Sequence, residues 1–146
     1  MKRYLATFCI IFWAGLIGGI SFLEAPLKFQ APGTTIPLGL GIGQLVFQVL
    51  NKIEIILCAI ILIASFNLKL KNSRGFILAI VVIILAVDTF WLLPLLDKRV
   101  LMVLVGNPPD KSYHHIFYIA LESIKFLSLV ALGYLNLKDL HHENRY

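Results

Sequence analysis

Apolar residues recur along the chain in four long runs, separated by short segments that carry charges, prolines and glycines. The runs extend over about residues 4–24, 38–66, 76–96 and 116–137. An α-helix rises ~1.5 Å per residue, so about 20 residues are enough to cross ~30 Å of hydrocarbon. The pattern predicts an all-α fold, with residues 1–146 forming a single integral membrane four-helix bundle.

Composition supports the bilayer as the surroundings of this chain. Hydrophobic residues make up 59% of the 146 positions and charged residues only 14%, more apolar surface than a soluble domain of this size can bury. The formal charge of +5 comes from basic residues at the ends of apolar runs, without an aromatic-interleaved patch. We therefore expect the lipid bilayer as partner and no nucleic acid. Cys9 and Cys58 lie in apolar runs, and no disulfide framework is implied.

Lysines and arginines are unevenly divided between the two sides that the runs define. Seven lie at the termini and in the second connection, and four lie in the first and third connections. The excess predicts that both termini are cytoplasmic. The first apolar run is too long for a typical signal-peptide core, so we expect it to remain as an uncleaved helix.

Three ionisable residues lie at one depth in three predicted helices. Glu54, Asp88 and Lys125 are each 12 residues from the predicted inner end of their helix, or ~18 Å at the rise of an α-helix. A charge at the centre of a membrane helix costs ~2.5–3.5 kcal/mol on insertion scales, so these side chains are expected to face the bundle and pair. We predict an ion pair between Glu54 and Lys125 across the second and fourth helices.

Further polar residues share the helix faces of these three at helical spacing. Asp88 and Glu122 are expected to compete for Lys125 and Lys52. The candidates for binding an ion or a polar ligand are Gln48, Asn51, Glu54, Asp88, Glu122 and Lys125. Two interpretations stay open: a site for a small ion, proton or polar ligand, and a structural or partner-binding protein whose buried charges only clamp the helices.

The segment SFLEAPLKFQAPG, residues 21–33, follows the first apolar run. Pro26 and Pro32 predict that the first helix ends here, because proline disfavours a continuing helix. We expect an outer hairpin folded back over the bundle, in which Glu24 and Lys28 cap the polar face of the second helix at Gln44 and Gln48. The alternative is a solvated interfacial loop with an incidental charge pair.

The first helix carries small residues in place of charges. Gly15, Gly18 and Gly19 form a small-residue face of the kind that allows close approach of helix backbones. A contact inside the four-helix bundle is favoured over a seam between two copies, although a homo-oligomer stays open.

WAGLIGGISFLEAPLKF at residues 13–29 and GIGQLVFQVLNKIE at 41–54 resemble the transmembrane-protein-205-like superfamily and its bacterial relatives of unknown function. The likeness rests on the glycine-bearing first helix, on Ala25, Pro26 and Phe29, and on Pro94 near the end of the third helix. It implies a four-helix multi-pass protein of a cell membrane, the inner membrane in a bacterium, with no established reaction.

A more distant similarity of residues 13–16 is to haem-binding four-helix membrane oxidases. None of the four histidines lies within the first three predicted helices, so bis-histidine haem is not expected. No nucleophile-elbow, phosphate-loop or zinc-protease motif occurs. We therefore expect no cofactor and no metal, and an enzyme is the less favoured class.

Overall fold

The computed structural model describes residues 1–65 and 72–143, and all regular structure in these two stretches is helical. Four helices are long and apolar enough to cross a membrane by length and composition. We label them α1 (Lys2–Gln30), α2 (Ile36–Ser65), α3 (Asn72–Val87 continued by Asp88–Leu92 and Leu93–Leu104) and α4 (His114–Glu143). The predicted end of the second helix at residue 66 lies outside the described residues.

The four helices pack as a bundle in which neighbours run antiparallel. α1 packs mainly against α2 and α4, and α3 packs against α4 and α2. Near the start of α3, Arg74 Nη1 lies 2.7 Å from Asp139 Oδ2 of α4, and Arg74 Nη2 donates a hydrogen bond to the Leu135 carbonyl. We call this end of the bundle, near both termini, the terminus end. The opposite end, formed by residues 31–35 and 105–113, is the connector end.

The expectation that Pro26 ends the first helix is wrong, because α1 continues to Gln30. Gly18–Glu24 winds as a π-helix immediately before Pro26, and Asp88–Leu92 does the same before Pro94. Proline lacks an N–H, and its ring would clash with the carbonyl four residues earlier in a regular helix. A preceding π turn shifts the hydrogen bonds from i+4 to i+5 and accommodates the ring. Beyond residue 96, where the third predicted span ends, α3 continues to Leu104, as the amphipathic pattern after Pro94 predicts.

A tight turn joins α1 to α2 at the connector end. Gly33 adopts φ +82°, a conformation that glycine adopts without strain. Thr35 caps α2, since its Oγ1 accepts a hydrogen bond from the Leu38 N–H at 3.3 Å. The turn folds the last residues of α1 back onto the first turns of α2. Residues 21–30 are therefore a helical extension, and residues 31–33 belong to the turn.

The interior is divided into two apolar regions along the bundle axis. The larger fills the terminus half and is formed around Trp13, Ile17, Ile61, Val81 and Leu129, all fully buried. A smaller one, around Leu92, Leu93 and Tyr118, lies in the connector half. Polar side chains are buried between the two regions, and the candidate site is built from them.

Candidate functional site

Lys125 of α4 is the centre of a buried charge cluster. Its side chain is 0% exposed, and its Nζ lies 3.0 Å from Glu54 Oε1 and 3.1 Å from Asp88 Oδ2. Glu122, one turn earlier on α4, places Oε1 2.5 Å from the same ammonium. The predicted Glu54–Lys125 pair is therefore confirmed as a contact. We call Glu54, Asp88, Glu122 and Lys125 the charge cluster.

Helix α1 supplies two neutral hydrogen-bond donors to this cluster. Trp13 Nε1 donates to Glu54 Oε1 at 2.8 Å, and Ser21 Oγ donates to Glu122 Oε2 at 3.1 Å. Ser21 belongs to the π-helical segment of α1. All four helices therefore contribute to one polar network in the bundle interior.

The cluster leaves buried acceptor atoms without hydrogen bonds. Among the described residues, Asp88 Oδ1 and Glu122 Oε1 have no hydrogen-bond partner, although Glu122 Oε1 lies close to the Lys125 ammonium. The carboxyls of Asp88 and Glu122 both contact the Lys125 ammonium, so the two acids are neighbours in the cluster. Two carboxyl groups can share a hydrogen bond only when one of them carries a proton.

Lys52 does not join the cluster, contrary to the expectation that it competes for the acids. Its side chain is on the exposed face of α2. Three carboxyl groups therefore surround a single ammonium, and the formal charge is −2 when every group is ionised. Charges of this kind are costly to bury unless they are neutralised.

A cavity of about 620 Å³ lies between the cluster and the connector end. All four helices contribute to its walls, and Pro108 and Pro109 of the last connection line it at the connector end. Its innermost lining residues on the four helices are Ser21, Phe47, Leu93 and Glu122. Glu122 thus belongs both to the charge cluster and to the cavity wall.

Glu24 and Lys28 lie beside this cavity as an ion pair within one helix. Lys28 Nζ is 3.3 Å from Glu24 Oε2, with the Lys28 side chain only 9% exposed. The same ammonium lies 5.2 Å from the ring centroid of Phe47, a cation–π distance. Lys28 lines the cavity itself, whereas the Glu24 side chain is 34% exposed.

Gln48 and Asn51 point away from the charge cluster. Gln48 Nε2 donates to Asp97 Oδ2 at 2.8 Å, and Asn51 Nδ2 donates to Thr89 Oγ1 at 2.9 Å. These residues line a second, smaller recess of about 190 Å³ between α2 and α3. The polar residues predicted to share one face of the second helix are therefore divided: Glu54 belongs to the charge cluster, and Gln48 and Asn51 belong to the recess.

The expected close contact at the glycines of the first helix, inside the bundle, is not formed at Gly15 or Gly19. A Cβ at Gly15 or Gly19 would meet no atom of the described chain within 4 Å, and both residues are exposed. Gly18 has Phe126 at ordinary contact distance, 3.5 Å from an added Cβ. The close internal packing is instead at Gly39 and Gly43 of α2.

Gly39 and Gly43 receive the end of α1. An added Cβ at Gly39 would lie 2.4 Å from the Phe29 ring, and one at Gly43 would lie 2.8 Å from Lys28 Nζ. Their spacing of four residues is a small-residue pattern that allows close approach of helices.

Trp13 and Ser21 were also missed as site residues. A tryptophan near the middle of a membrane helix carries an N–H that must find an acceptor in a medium without water. That requirement could have linked Trp13 to an acid at its own depth. Ser21 carried no comparable signal, because serine can bond to its own helix backbone.

Among the described residues, no group of three or more His, Cys, Asp or Glu side chains is arranged to hold a metal ion. Comparison with other proteins gave no relative: no family model matches the chain, and no curated protein or solved structure matches it.

Proposed function

We propose that this protein is a membrane transporter or ligand-binding protein whose charge cluster binds protons and whose cavity receives a small ligand. The observation that carries the proposal is that Glu122 belongs both to the charge cluster and to the cavity wall. A group that enters the cavity can reach a carboxyl that already belongs to the buried network. Protonation and ligand binding would therefore act on one another through a single side chain.

Charge balance supports proton binding. Neutrality of three carboxyls around one ammonium requires two added protons, and a low-dielectric interior strongly favours neutrality. Asp88 Oδ1 is a buried acceptor without a hydrogen bond among the described residues, so it is a position where a proton can be held.

The arrangement of the interior supports access from one side. The cavity reaches the connector end, whereas the larger apolar region separates the cluster from the terminus end. With both termini in the cytoplasm, as the distribution of basic residues predicts, the cavity would open to the outer side of the membrane. The proposal includes membership of the transmembrane-protein-205-like superfamily and, in a bacterium, a location in the inner membrane.

The tryptophans allow the proposal to be tested. The chain has two, Trp13 and Trp91, so Trp91→Phe leaves Trp13, which is hydrogen-bonded to Glu54, as the one intrinsic indole reporter. We expect its emission to change in a pH series, because protonation of the cluster alters the acceptor of the indole N–H. Adding Glu122→Gln should displace or abolish this transition, whereas Asp110→Asn, the same charge change at an exposed residue of the last connection, should not.

A folded Trp91→Phe protein whose emission does not change with pH would overturn the proposal. So would a transition that Glu122→Gln leaves in place. Circular dichroism of each variant establishes that the helices are retained.

The second candidate function is a purely structural clamp. It is favoured by the contact of all four helices within one network, through Trp13 and Ser21 of α1 and the cluster residues of α2 to α4. A clamp predicts that cluster substitutions lower stability, with no pH-dependent signal from Trp13.

A further inference from the structure

We propose that the ligand of this cavity is a hydrophobic organic cation, which binds against Glu122 in exchange for a proton. This inference rests on the proposed function and names the ligand's chemical class. It follows from the excess of carboxyl groups at the inner end of the cavity, from the contacts that Lys28 and Arg99 already make near its mouth, and from the apolar and aromatic side chains of its walls.

The inner end of the cavity carries an excess of acid. Facing Glu122 are Glu54 of α2, Asp88 of α3, and Tyr118 and Lys125 of α4, while α1 contributes only the neutral Ser21. An anion placed there would add to a cluster that already has more carboxyls than cations. A cation can take the place of one of the added protons without changing the total charge, and would meet the Glu122 carboxyl at the cavity wall.

The basic groups nearer the connector end already have partners. Lys28 is paired with Glu24 at 3.3 Å, and the Arg99 guanidinium donates to the Asp110 carbonyl. Asp97, also in the cavity wall, accepts a hydrogen bond from Gln48. His115 lies in an exposed position on the wall. The charge of Lys28 is therefore already offset by Glu24, and Arg99 lies toward the connector end rather than beside Glu122.

The walls suit a large, weakly hydrated cation. They contain many apolar side chains and four aromatic rings, Phe22, Phe29, Phe47 and Tyr118. Aromatic faces attract cations within ~6 Å of the ring centroid, and Phe47 already holds the Lys28 ammonium at 5.2 Å. The cavity volume of about 620 Å³ lies within the usual range of ~300–1,000 Å³ for small-molecule sites.

The exchange conserves charge. The charge cluster releases one proton to the cavity solvent as the monovalent cation arrives, so a carboxyl that was neutral becomes an anion near the bound cation. The total charge of the site is the same before and after, and no covalent bond other than the O–H bond changes. The ligand site can therefore be filled without burying uncompensated charge.

Tetraphenylphosphonium and tetraphenylborate are nearly isosteric ions of opposite charge, and together they test this inference. Binding of each to purified protein is measured by equilibrium dialysis against empty detergent micelles, with proton release followed in weak buffer. We expect tetraphenylphosphonium to bind at least about tenfold more tightly than tetraphenylborate and to release protons. Glu122→Gln should remove this preference and the proton release, and Glu143→Gln, the same change at the terminus end of α4, should leave both unchanged.

A second variant keeps the test decisive if Glu122→Gln fails to fold. Val100 lines the cavity and is not part of the charge cluster. Val100→Phe should fill part of the cavity and weaken tetraphenylphosphonium binding, while Trp13 still responds to pH. Equal binding of the two ions, or cation binding that neither variant changes, would overturn the inference. Absence of cation binding with an intact, Glu122-dependent Trp13 transition would overturn the ligand class and leave the proposed proton site standing.

Discussion

At the residue scale, the central fact is that one ammonium serves three carboxyl groups. Lys125 is fully buried, and its three partners are exposed by 3% or less. Its burial is tolerable because each face of the ammonium meets a carboxyl oxygen. Removing the cation is therefore a larger change than removing one of its acids.

Lys125→Met should destabilise the bundle strongly, because three carboxyl groups would remain without a cation. Loss of one partner of a buried pair costs about 3–5 kcal/mol in soluble proteins, and polar contacts in membranes are often weaker. Glu54→Gln combined with Lys125→Met should recover part of the loss. The measurement is the free energy of unfolding in mixed micelles containing increasing sodium dodecyl sulfate.

Lys98→Met is the matched control, since Lys98 is exposed on α3 and its loss should have little effect. If Lys125→Met were as mild as Lys98→Met, the cluster would not carry the stability assigned to it.

The charged residues show how far sequence reasoning can reach at this scale. Depth and helical spacing predicted that Glu54 and Lys125 meet, because intramembrane charges must find partners. The same reasoning was wrong about Lys52, which lies within one turn of Glu54 but on the exposed face of α2. An angle of 100° per residue cannot separate adjacent faces of a helix whose neighbours are unknown.

At the element scale, the bundle is shaped by two π-helical segments and by the way α1 folds onto α2. Each π segment precedes a proline, and each carries a residue of the polar network, Ser21 in α1 and Asp88 in α3. The sequence predicted a break at Pro26 because the rule for proline assumes a regular helix before it. Helix existence was readable from hydropathy, whereas the local winding depends on packing between helices.

Three glycines on α2 give a graded test of how the end of α1 packs. Gly39→Ala should destabilise by about 1–3 kcal/mol, the usual range for overpacking, because its Cβ would lie 2.4 Å from the Phe29 ring. Gly43→Ala should be milder, since the nearest atom is the mobile end of Lys28. Unfolding in mixed micelles gives the order.

Gly41→Ala is the control, because its Cβ would meet only Leu104 Cδ2, at 3.8 Å. Alanine is the better helix former, so this variant should be neutral or stabilising. Equal effects at all three positions would show that α1 does not pack on α2 as described.

At the scale of the whole molecule, the bundle is polarised along its axis. A cavity occupies the connector half, the charge cluster lies at its inner end, and an apolar region fills the terminus half. The four-helix architecture could be predicted from the lengths of the apolar runs alone. The cavity could not, because it depends on how side chains from four helices leave space between them. We therefore expect protons to reach the cluster from the connector end.

Proton access in proteoliposomes tests this central claim most directly. Trp91→Phe protein is reconstituted, and the fraction of molecules with the connector end outside is measured by labelling Asn107→Cys with an impermeant thiol reagent; Cys9 and Cys58 are buried. The external pH is then changed rapidly while Trp13 emission is recorded. We expect the fast fraction of the Trp13 response to equal the fraction of labelled connector ends. A fast fraction that instead matches the terminus ends facing outward would contradict the account, as would the absence of any fast response.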